Sequence, residues 1–407
     1  MSREQNSASK TRVLSVSTIF PSSDRPTEGV FVHQRQKHLP QEFKVDVVRM
    51  RPSFPILDRL RPHLAPQSKD FETVDGLGVH DLRFYYTPRF FKSWDGDHLA
   101  RCLLRWLNAR PETYDLLDAH FAFPTGYGVV KVARKLGIPS MMTLRGTMPS
   151  YLSDARAAKI REGLLGADHV VAVSQSLADQ ACELAGQDLL VTVIGNGVDT
   201  ERFRPNDRVS ARAKISGVPG CQDLSEGPVL LTVGGLVPRK GVQRVLEVMP
   251  AVLERHPRAR YLVVGGGGAE GNFESELRSR RAALGLETAV SFVGPIAPER
   301  LADFYCAADL FVLATANEGW ANALQEALAC GTPVVTTAVG GNSEVVGGQE
   351  QGIVVPFGDT PALESAVLAA LDLEFDRSVI ARWGRRRDWN DVGREVAHVY
   401  REILASR

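Results

Sequence analysis

The sequence has few cysteines, and they stand in no pattern that binds a metal or builds a disulfide framework. The five cysteines are scattered along 407 residues without a Cys-x-x-Cys pair, at positions 102, 182, 221, 306 and 330. This spacing excludes a small disulfide-stabilised fold and a cysteine-based zinc site. The simplest interpretation is a set of reduced thiols in a cytosolic protein.

Long apolar runs and an apolar leader are also missing. No stretch approaches the roughly 18 uninterrupted apolar residues that a membrane-spanning helix needs. The first ten residues are polar, unlike a secretory signal peptide. We therefore expect a cytoplasmic protein, with peripheral contact at the inner face of the cell membrane left open.

Neither sign of charge is in excess, because 48 lysine and arginine residues balance 48 aspartate and glutamate residues. This balance excludes a general attraction to nucleic acid, and no nucleic-acid partner is expected. The one Asp-x-Asp pattern, Asp95-Gly-Asp97, stands directly before a predicted helix. It is interpreted as a turn and N-cap rather than as a metal site, so no metal or cofactor is expected.

The length exceeds what one hydrophobic core usually organises, which predicts two domains. In the first half, short apolar runs alternate with amphipathic stretches, a pattern typical of parallel α/β sheets. The predicted strands are Val13–Thr18, Val45–Met50, Leu82–Tyr86, Leu116–Ala119, Ser140–Leu144, Val170–Val173 and Leu190–Ile194. The predicted helices are Val30–Leu39, Asp97–Arg110, Thr125–Leu136, Asp154–Leu165 and Ser174–Leu184.

The same alternation restarts after an irregular region, 205–228, that is interpreted as a linker. The predicted strands are Val229–Val233, Tyr261–Val264, Val290–Val293, Leu310–Ala314, Pro333–Thr336 and Ile353–Val355. Helices are predicted near 242–255, 273–284, 298–307, 320–330, 360–372 and 389–405.

This pattern predicts an α/β protein with two doubly wound domains that face each other across a cleft. We expect a disordered tail over residues 1–10, a first domain over 11–206 and a second over 207–388. The last segment, 389–407, is expected to pack as a helix on the first domain. Such sheets bind ligands at the carboxyl ends of their strands.

The segment from Glu318 to Glu326 lies at such a place, after the strand Leu310–Ala314. With a helix starting near Ala321, the amides of Asn322, Ala323 and Leu324 form a helix N-terminus that attracts a diphosphate. Glu326, one turn further, can accept hydrogen bonds from a ribose, and Glu318 can reach sugar hydroxyls. The alternative is a capping acid and a solvated helix acid.

A glycosidase carboxylate pair is a rival interpretation of Glu318 and Glu326. Eight residues of helix would separate them by roughly 12 Å. Such a pair requires a separation of roughly 5–9.5 Å, so joint action as acid and base is not expected.

Three glycine turns follow other predicted strands of the second half. Gly234 to Gly241 includes Arg239 and Lys240, whose cations can neutralise phosphate oxygens; a surface loop with two solvated cations is the alternative. Gly265 to Gly268 lacks the spacing of a dinucleotide fingerprint, and the run 339–344 is by itself only a glycine turn.

Together these elements resemble glycosyltransferase family 4, the retaining enzymes with a GT-B fold of two Rossmann-like domains. The matching motifs are Val-Gly-Gly-Leu-Val-Pro-Arg-Lys-Gly at 233–241, Glu-x7-Glu at 318–326, Ala-Cys-Gly-Thr-Pro-Val-Val at 329–335, Gly-Gly-Asn-Ser-Glu at 340–344 and Asn-Gly-Val-Asp at 196–199. The motifs Asp-Ala-His-Phe at 118–121 and Leu-Arg-Gly at 144–146 resemble the branch that includes teichuronic-acid and other surface-polysaccharide transferases.

The resemblance implies a role for each matching residue. Glu318 would contact the transferred sugar, Glu326 the ribose, and Lys240 with Arg239 the diphosphate, helped by the amides of 322–324. The implied catalytic residues are Glu318, Lys240 and His120. His120 and Arg145 would line the cleft on the acceptor side, and Gly29 would lie near the donor phosphates and the acceptor.

One position departs from the family pattern. Many members carry an arginine that grips the diphosphate where this chain has Gly235. The departure puts the usual clamp of two cations in doubt, and Arg239 is the residue that would compensate.

The resemblance implies a metal-independent hexosyltransferase that retains the anomeric configuration. Its donor would be a nucleoside-diphosphate sugar, and its acceptor a saccharide or a lipid-linked saccharide in polysaccharide or glycoconjugate synthesis. A nucleotide-sugar epimerase or hydrolase on the same scaffold and a non-catalytic subunit are the alternatives.

A basic amphipathic helix leaves contact with a membrane open. In Asp97–Arg110, Leu99, Leu103, Trp106 and Leu107 share one face, and Arg101 and Arg105 lie on another. An ordinary helix covering the sheet is the alternative. The arginines Arg51, Arg59 and Arg61 and the segment Arg89–Trp94 leave the same two interpretations open.

Overall fold

The computed structural model describes residues 10–54, 69–86, 92–146, 154–268 and 271–406. Arg59, Arg61, the residues 89–91 and the tail 1–9 lie outside the described residues. The chain divides into two compact units: unit 1 contains residues 1–196 and 389–407, and unit 2 contains residues 197–388.

Unit 1 is built on an eight-stranded sheet in the order β3-β4-β2-β1-β5-β6-β7-β8, parallel except for the β3–β4 pair. The strands are β1 Thr11–Ser17, β2 Phe43–Ser53, β3 Phe71–Val74, β4 Leu77–Tyr85, β5 Leu116–His120, β6 Ser140–Leu144, β7 His169–Ala172 and β8 Val191–Val193. The helices are α1 Val30–Lys37, α2 Asp95–Asn108, α3 Tyr127–Leu136, α4 Asp154–Gly166 and α5 Gln175–Ala185.

Unit 2 is built on a six-stranded parallel sheet in the order β11-β10-β9-β12-β13-β14. Its strands are β9 Val229–Val233, β10 Arg260–Val264, β11 Val290–Gly294, β12 Leu310–Leu313, β13 Val334–Thr337 and β14 Gly352–Val355. Its helices are α6 Arg208–Ile215, α7 Val242–Arg255, α8 Glu274–Ala283, α9 Leu301–Ala307, α10 Asn322–Ala329, α11 Asn342–Val346, α12 Thr360–Asp372 and α13 Arg377–Gly384. The last helix, α14 Trp389–Ala405, belongs to unit 1.

The apolar patterns of the sequence account for the packing. On α7, buried residues recur three or four positions apart, at Val242, Val245, Leu246, Met249 and Val252, which places them on one helix face. All five residues of β5 are buried, as expected for a strand covered on both faces.

The final helix completes the core of unit 1. Trp389, Val392, Val396 and Tyr400 of α14 are buried in one cluster with Val13 of β1 and its neighbours. The side chains at these positions recur at helical spacing, so the helix covers the sheet with one apolar face.

The predicted linker at 205–228 is wrong in part, because α6 lies inside it. Ala211 and Ile215 of α6 are fully buried in the unit 2 core together with Phe304 of α9. The boundary between the units falls at 196/197 and not at 206/207. An eight-residue helix between proline- and glycine-rich segments is too short to stand out as a periodic pattern.

Other elements were not predicted. They are the strand β3, the first half of β4, and the short helices α11 and α13. The hairpin turn of β3 and β4 contains Asp75 and Gly76, both with positive φ. That Asp-Gly pair is a hairpin signal that the sequence carries.

Two expectations about α2 are decided by its contacts. Leu99, Leu103 and Leu107 are buried in the core of unit 1, so the alternative of a sheet-covering helix describes its apolar face. Asp95 and Asp97 are not a turn and N-cap, because both lie in the first turn of the helix.

Asp97 joins α2 to its neighbours. Its carboxylate accepts hydrogen bonds from Lys131 at 2.7 Å and Lys159 at 2.5 Å. Burial opposes ionisation, but these two lysines and the Tyr127 hydroxyl hold the pKa of Asp97 at about 2.

Among the described residues, no helix is long and apolar enough to cross a membrane.

Candidate active site

In unit 2, Lys240 and Glu318 form an ion pair at the carboxyl edge of the sheet. The Lys240 Nζ lies 2.6 Å from the Glu318 Oε1, and the two side chains are 17% and 10% exposed. Lys240 follows β9 and Glu318 follows β12, which are neighbours in the sheet. The strand order reverses between them, and such a switch point is where doubly wound sheets bind ligands.

Two glycines allow the loops around this pair to pack closely. Gly241, beside Lys240, has φ of +77°, and a Cβ there would lie 1.8 Å from the Ala314 carbonyl oxygen. Gly340 has φ of +53°, and a Cβ there would lie 1.6 Å from the Glu318 carbonyl oxygen. Any other residue would displace these backbones, so the glycine turn after β13 is part of what positions Glu318.

Arg239 points to the same carboxylate as Lys240. Its guanidinium lies 3.6 Å from the Glu318 Oε1 with the side chain 37% exposed. Two cations therefore lie beside one carboxylate. These cations can neutralise an anionic ligand. At Gly235 a Cβ would have the Gly266 carbonyl oxygen as its nearest neighbour, at 3.9 Å, so a side chain can begin there without a clash.

The start of α10 differs in one detail from the expectation. The helix begins at Asn322, after Ala321. The Leu324 amide already donates to the Ala321 carbonyl at 3.1 Å, so this amide is not available to a diphosphate as the sequence predicted. The N-terminal end of the helix still carries a partial positive charge toward the loop of Glu318.

Glu326 is held by a tyrosine that the sequence did not indicate. The Tyr305 hydroxyl, on α9, donates to the Glu326 Oε2 at 2.7 Å. Burial raises the pKa of Glu326, while the Tyr305 hydrogen bond and Arg202 act in the opposite direction. The carboxylate is thus fixed in orientation and keeps one oxygen for another donor.

Unit 1 has its own polar cluster, centred on His120 at the end of β5. His120 is fully buried, and its Nε2 lies 3.0 Å from the Ser15 Oγ. The Arg145 Nε donates to the His120 Nδ1 at 3.2 Å. Because arginine can only donate, the ring proton belongs on Nε2, and the Gln36 amide nitrogen 3.1 Å from Nε2 donates to Asp118 and not to the ring.

Burial, followed by the charges of Arg145 and Arg35, holds the pKa of His120 well below its ordinary value. The ring is therefore neutral near neutral pH. This places His120 in a buried network in unit 1, without the exposed ring edge that a contact with solvent would need.

Asp118 links this network to the last helix. Its Oδ2 accepts from the Gln36 amide at 2.7 Å and from the Tyr400 hydroxyl at 2.8 Å. Burial raises the pKa of Asp118, and Arg35 and these hydrogen bonds oppose that rise. Tyr400, on α14, thus fixes a carboxylate 282 positions away in the chain.

The remaining predicted residues of unit 1 are Arg145, which contacts His120, and Gly29, which packs against Ile19 and Phe20. Arg145 is 6% exposed, donates to the Asn196 Oδ1 at 3.2 Å and stacks on the Phe31 ring at 5.3 Å. Gly29 is buried and precedes α1. The structure therefore brings His120, Arg145 and Asp118 together within unit 1, and Lys240, Arg239 and Glu318 together within unit 2.

The sequence analysis did not predict a role for Tyr305, Gln36 or Tyr400. Each acts through a contact between distant positions, and no linear motif marks it. Among the described residues, no group of three His, Cys, Asp or Glu is arranged to hold a metal ion.

Both halves of the chain match family models. Residues 29–202 match the family described as Glycosyltransferase Family 4. Residues 222–390 match the family described as Glycosyl transferases group 1. The two matches lie mainly in unit 1 and in unit 2, respectively.

Related proteins cover most of the chain. The D-inositol 3-phosphate glycosyltransferase of Acidothermus cellulolyticus is 31% identical over 73% of this chain and 69% of its own. TuaC of Bacillus subtilis, which carries the name of a teichuronic acid biosynthesis glycosyltransferase, is 30% identical over 85% of each chain.

Solved structures share the fold at low sequence identity. Sucrose-phosphate synthase of Thermosynechococcus elongatus has a TM-score of 0.80 and 20% identity over 98% of this chain and 100% of that one. HepE of Anabaena in complex with UDP has a TM-score of 0.72 and 19% identity over 97% and 100%. With the family matches and the relatives, these similarities identify the chain as a glycosyltransferase of family 4 with the GT-B fold.

Proposed function

We propose that the protein transfers a hexose-type sugar from a nucleoside-diphosphate sugar to a hydroxyl group of a saccharide or lipid-linked saccharide, with retention of the anomeric configuration. The observation that supports this most is the meeting of Lys240, Arg239 and Glu318 at the strand-order reversal of unit 2. The names of relatives in polysaccharide and inositol-phosphate glycosylation agree with a saccharide-like acceptor.

The proposed chemistry follows from the charge that the leaving group gains. As the sugar leaves, negative charge grows on a phosphate oxygen, and cations already in place stabilise it without reorganisation. Lys240 and Arg239 supply this charge, and the start of α10 adds a helix dipole. No metal is required in this mechanism. The bond from the sugar C1 to the phosphate oxygen breaks, the acceptor oxygen bonds to C1 on the face from which the diphosphate departs, and the departing phosphate oxygen takes the proton of the acceptor hydroxyl.

The two glutamates hold different parts of the donor in this proposal. Glu326, oriented by Tyr305, accepts from the ribose hydroxyls. Glu318 releases its ion pair with Lys240 when the diphosphate arrives, and its carboxylate then accepts from sugar hydroxyls. The present pairing holds both side chains in place until the donor binds.

We also propose that Arg239 takes the place of the arginine that many members have at Gly235. Arg239→Ala should weaken donor binding. Because a Cβ at Gly235 would meet no clash, adding Gly235→Arg to that variant should restore binding. No loss in Arg239→Ala, or no recovery in the double variant, would show that the two positions are not equivalent.

A thermal-shift panel of nucleotides and nucleotide sugars tests the donor class. A ligand that binds the native state raises its stability by RT ln(1 + [L]/Kd). Uridine diphosphate and its sugars come first, because HepE, which shares this fold, was solved with UDP and with UDP-glucose. The absence of any shift with the whole panel would overturn the proposed donor.

Product analysis tests the rest of the reaction. NMR of the product should show the same anomeric configuration as the donor, and activity should survive EDTA. An inverted product, or activity lost with EDTA and restored by a divalent ion, would refute the corresponding part of the proposal.

The alternatives separate in a simple assay. An epimerase or hydrolase consumes the donor without an acceptor, and a non-catalytic subunit consumes it under no condition. The proposed transferase consumes the donor at a substantial rate only when an acceptor hydroxyl is supplied. We propose a cytoplasmic location, with the acceptor presented at the inner face of the membrane.

A further inference from the structure

Unit 1 carries an open groove between the outer edge of β4 and the exposed side of α2. Its volume is about 420 Å³. Arg83 and Tyr85 line it from β4, and His98, Arg101, Arg105 and Trp106 line it from α2. In the sheet order β2 separates β4 from β1, and β1 and β5 carry the His120 cluster.

The groove is strongly basic. Arg83, Arg101 and Arg105 are all exposed, and no acidic side chain is among the described residues that line it. Within the described part of the chain, Arg101 and Arg105 form no ion pair. The whole chain has no net charge, so this surface is a local concentration of positive charge.

Aromatic side chains border the same surface. Trp94, His98, Arg101 and Arg105 follow each other at intervals of three or four residues and so form one stripe along the helix. Trp94 is 51% exposed and Tyr85 is 46% exposed. The Tyr85 and His98 rings meet edge to face with their centroids 5.2 Å apart.

The opposite face of α2 cannot insert into a lipid bilayer, because Leu99, Leu103 and Leu107 are in the core. Any contact made by this helix must use the arginines and the exposed aromatic rings. Such a surface suits a polar, anionic interface, where arginine pairs with phosphate and the rings of Trp and Tyr lie at headgroup depth.

We propose that this groove is a docking surface for the phosphate headgroups of an anionic membrane. This inference extends the proposed function. It rests on that function in one respect, namely that the membrane would carry the lipid-linked acceptor. The surface lies within unit 1 and includes none of the residues assigned to the donor or to the His120 cluster.

An acidic polysaccharide is the alternative anionic partner for this groove. The arrangement of the aromatic rings in the groove favours it less than a membrane. A sugar ring needs an open aromatic face to stack on. The Trp106 ring is covered by the Arg110 guanidinium, 4.2 Å from its centroid, and contacts the His80 ring at 5.1 Å. The Tyr85 ring, which also lines the groove, contacts the His98 ring at 5.2 Å.

Vesicle co-sedimentation of the full chain tests the proposal. Wild-type protein should bind phosphatidylcholine vesicles that contain phosphatidylglycerol, fail to bind phosphatidylcholine alone, and release as salt is raised. The triple variant Arg83→Ala, Arg101→Ala, Arg105→Ala should bind the anionic vesicles roughly 100-fold more weakly, the product of about fivefold per arginine.

The matched control removes the same charge elsewhere. Arg258, Arg278 and Arg280 are exposed, and each is paired with a glutamate. Their triple alanine variant should bind vesicles like wild type. Equal loss in both variants would reduce the effect to net charge and overturn the assigned surface.

Two further outcomes also overturn it. One is wild-type protein that ignores anionic vesicles but binds a soluble polyuronate through the three arginines, which would assign the groove to an acidic polysaccharide. The other is a triple variant with unchanged vesicle binding. Nucleotide thermal shifts and transfer to a soluble acceptor should be unchanged in the triple variant, so these readouts separate failure here from failure of the proposed function.

Discussion

Both units are built on doubly wound sheets, but the charged side chains of their two clusters differ in how much exposure they retain. In unit 2 the Lys240 and Glu318 side chains retain 17% and 10% exposure. In unit 1 the side chains of Asp118 and His120 have none. Both clusters lie where the strand order reverses, between β9 and β12 in unit 2 and between β1 and β5 in unit 1.

This difference in exposure indicates different roles for the two clusters. An ion pair that keeps some exposure can exchange a partner for water or a charged ligand more easily than groups that are fully removed from water. A buried carboxylate and imidazole cannot change partners without a large desolvation cost. We therefore expect changes in unit 2 to affect chemistry and donor binding, and changes in the unit 1 network to affect stability and the orientation of its residues.

The largest effect is expected from Lys240→Ala. Removing a fixed cation from the leaving group should lower kcat roughly 10²–10³-fold, with little change in the melting temperature. Steady-state kinetics and thermal melting check both statements. The control is Lys214→Ala, which removes an exposed lysine paired with Asp303; full activity in Lys240→Ala would end the assignment.

Glu326→Gln should weaken nucleotide binding roughly 10–30-fold, because hydrogen bonds to a charged group contribute more than those to a neutral one. Isothermal titration calorimetry measures the change. Glu254→Gln, at an exposed position of α7, is the matched control. Unchanged affinity would show that Glu326 is a structural partner of Tyr305 and nothing more.

Tyr400→Phe should lower the free energy of unfolding of unit 1 by about 1.5 kcal/mol, since a buried carboxylate loses one of its donors. Urea unfolding followed by circular dichroism measures it. Tyr85→Phe is the comparison variant, because Tyr85 is half exposed and its hydroxyl makes no hydrogen bond within the described residues. Equal stability of the two variants would contradict the role given to Tyr400.

The smallest effect is a pH dependence. The pKa of His120 is lowered in the folded protein, so the unfolded chain binds a proton near pH 6.5 that the folded chain does not. The stabilisation linked to His120 is present above pH 6.5 and is lost as the pH falls toward the folded pKa. The slope is at most about 1.4 kcal/mol per pH unit.

His120→Asn should flatten this slope in melting curves recorded from pH 7 downward. The comparison with wild type is needed because burial also lowers the pKa of His33, His80 and His169. Parallel curves for the two proteins would mean that His120 titrates alike in the folded and unfolded chains.

Most strands and the longer helices follow from the sequence, because their apolar residues recur at periods that only one element satisfies. The start of β9, the whole of α7 and α12 match the predicted bounds. The helix α6 and the strand β3 were not predicted. With eight and four residues, respectively, they are too short to show a clear periodicity. Local pattern and length together set this limit.

The site divides along the same line. Three of the predicted donor-site residues stand in motifs close to strand ends: Lys240, Glu318 and Glu326. The sequence therefore predicted these residues and the part of the donor that each would contact. The sequence by itself thus determined the fold, the family and the charged residues at the edge of the unit 2 sheet.

Tertiary structure alone decided which side chains those residues meet. It brought Tyr305 to Glu326 and Tyr400 to Asp118, buried His120 completely, and turned Arg239 toward Glu318. It also covered the apolar face of α2 and left its arginines outside. The physical reason is that burial and hydrogen bonding depend on distances between elements far apart in the chain, and local periodicity contains no record of those distances.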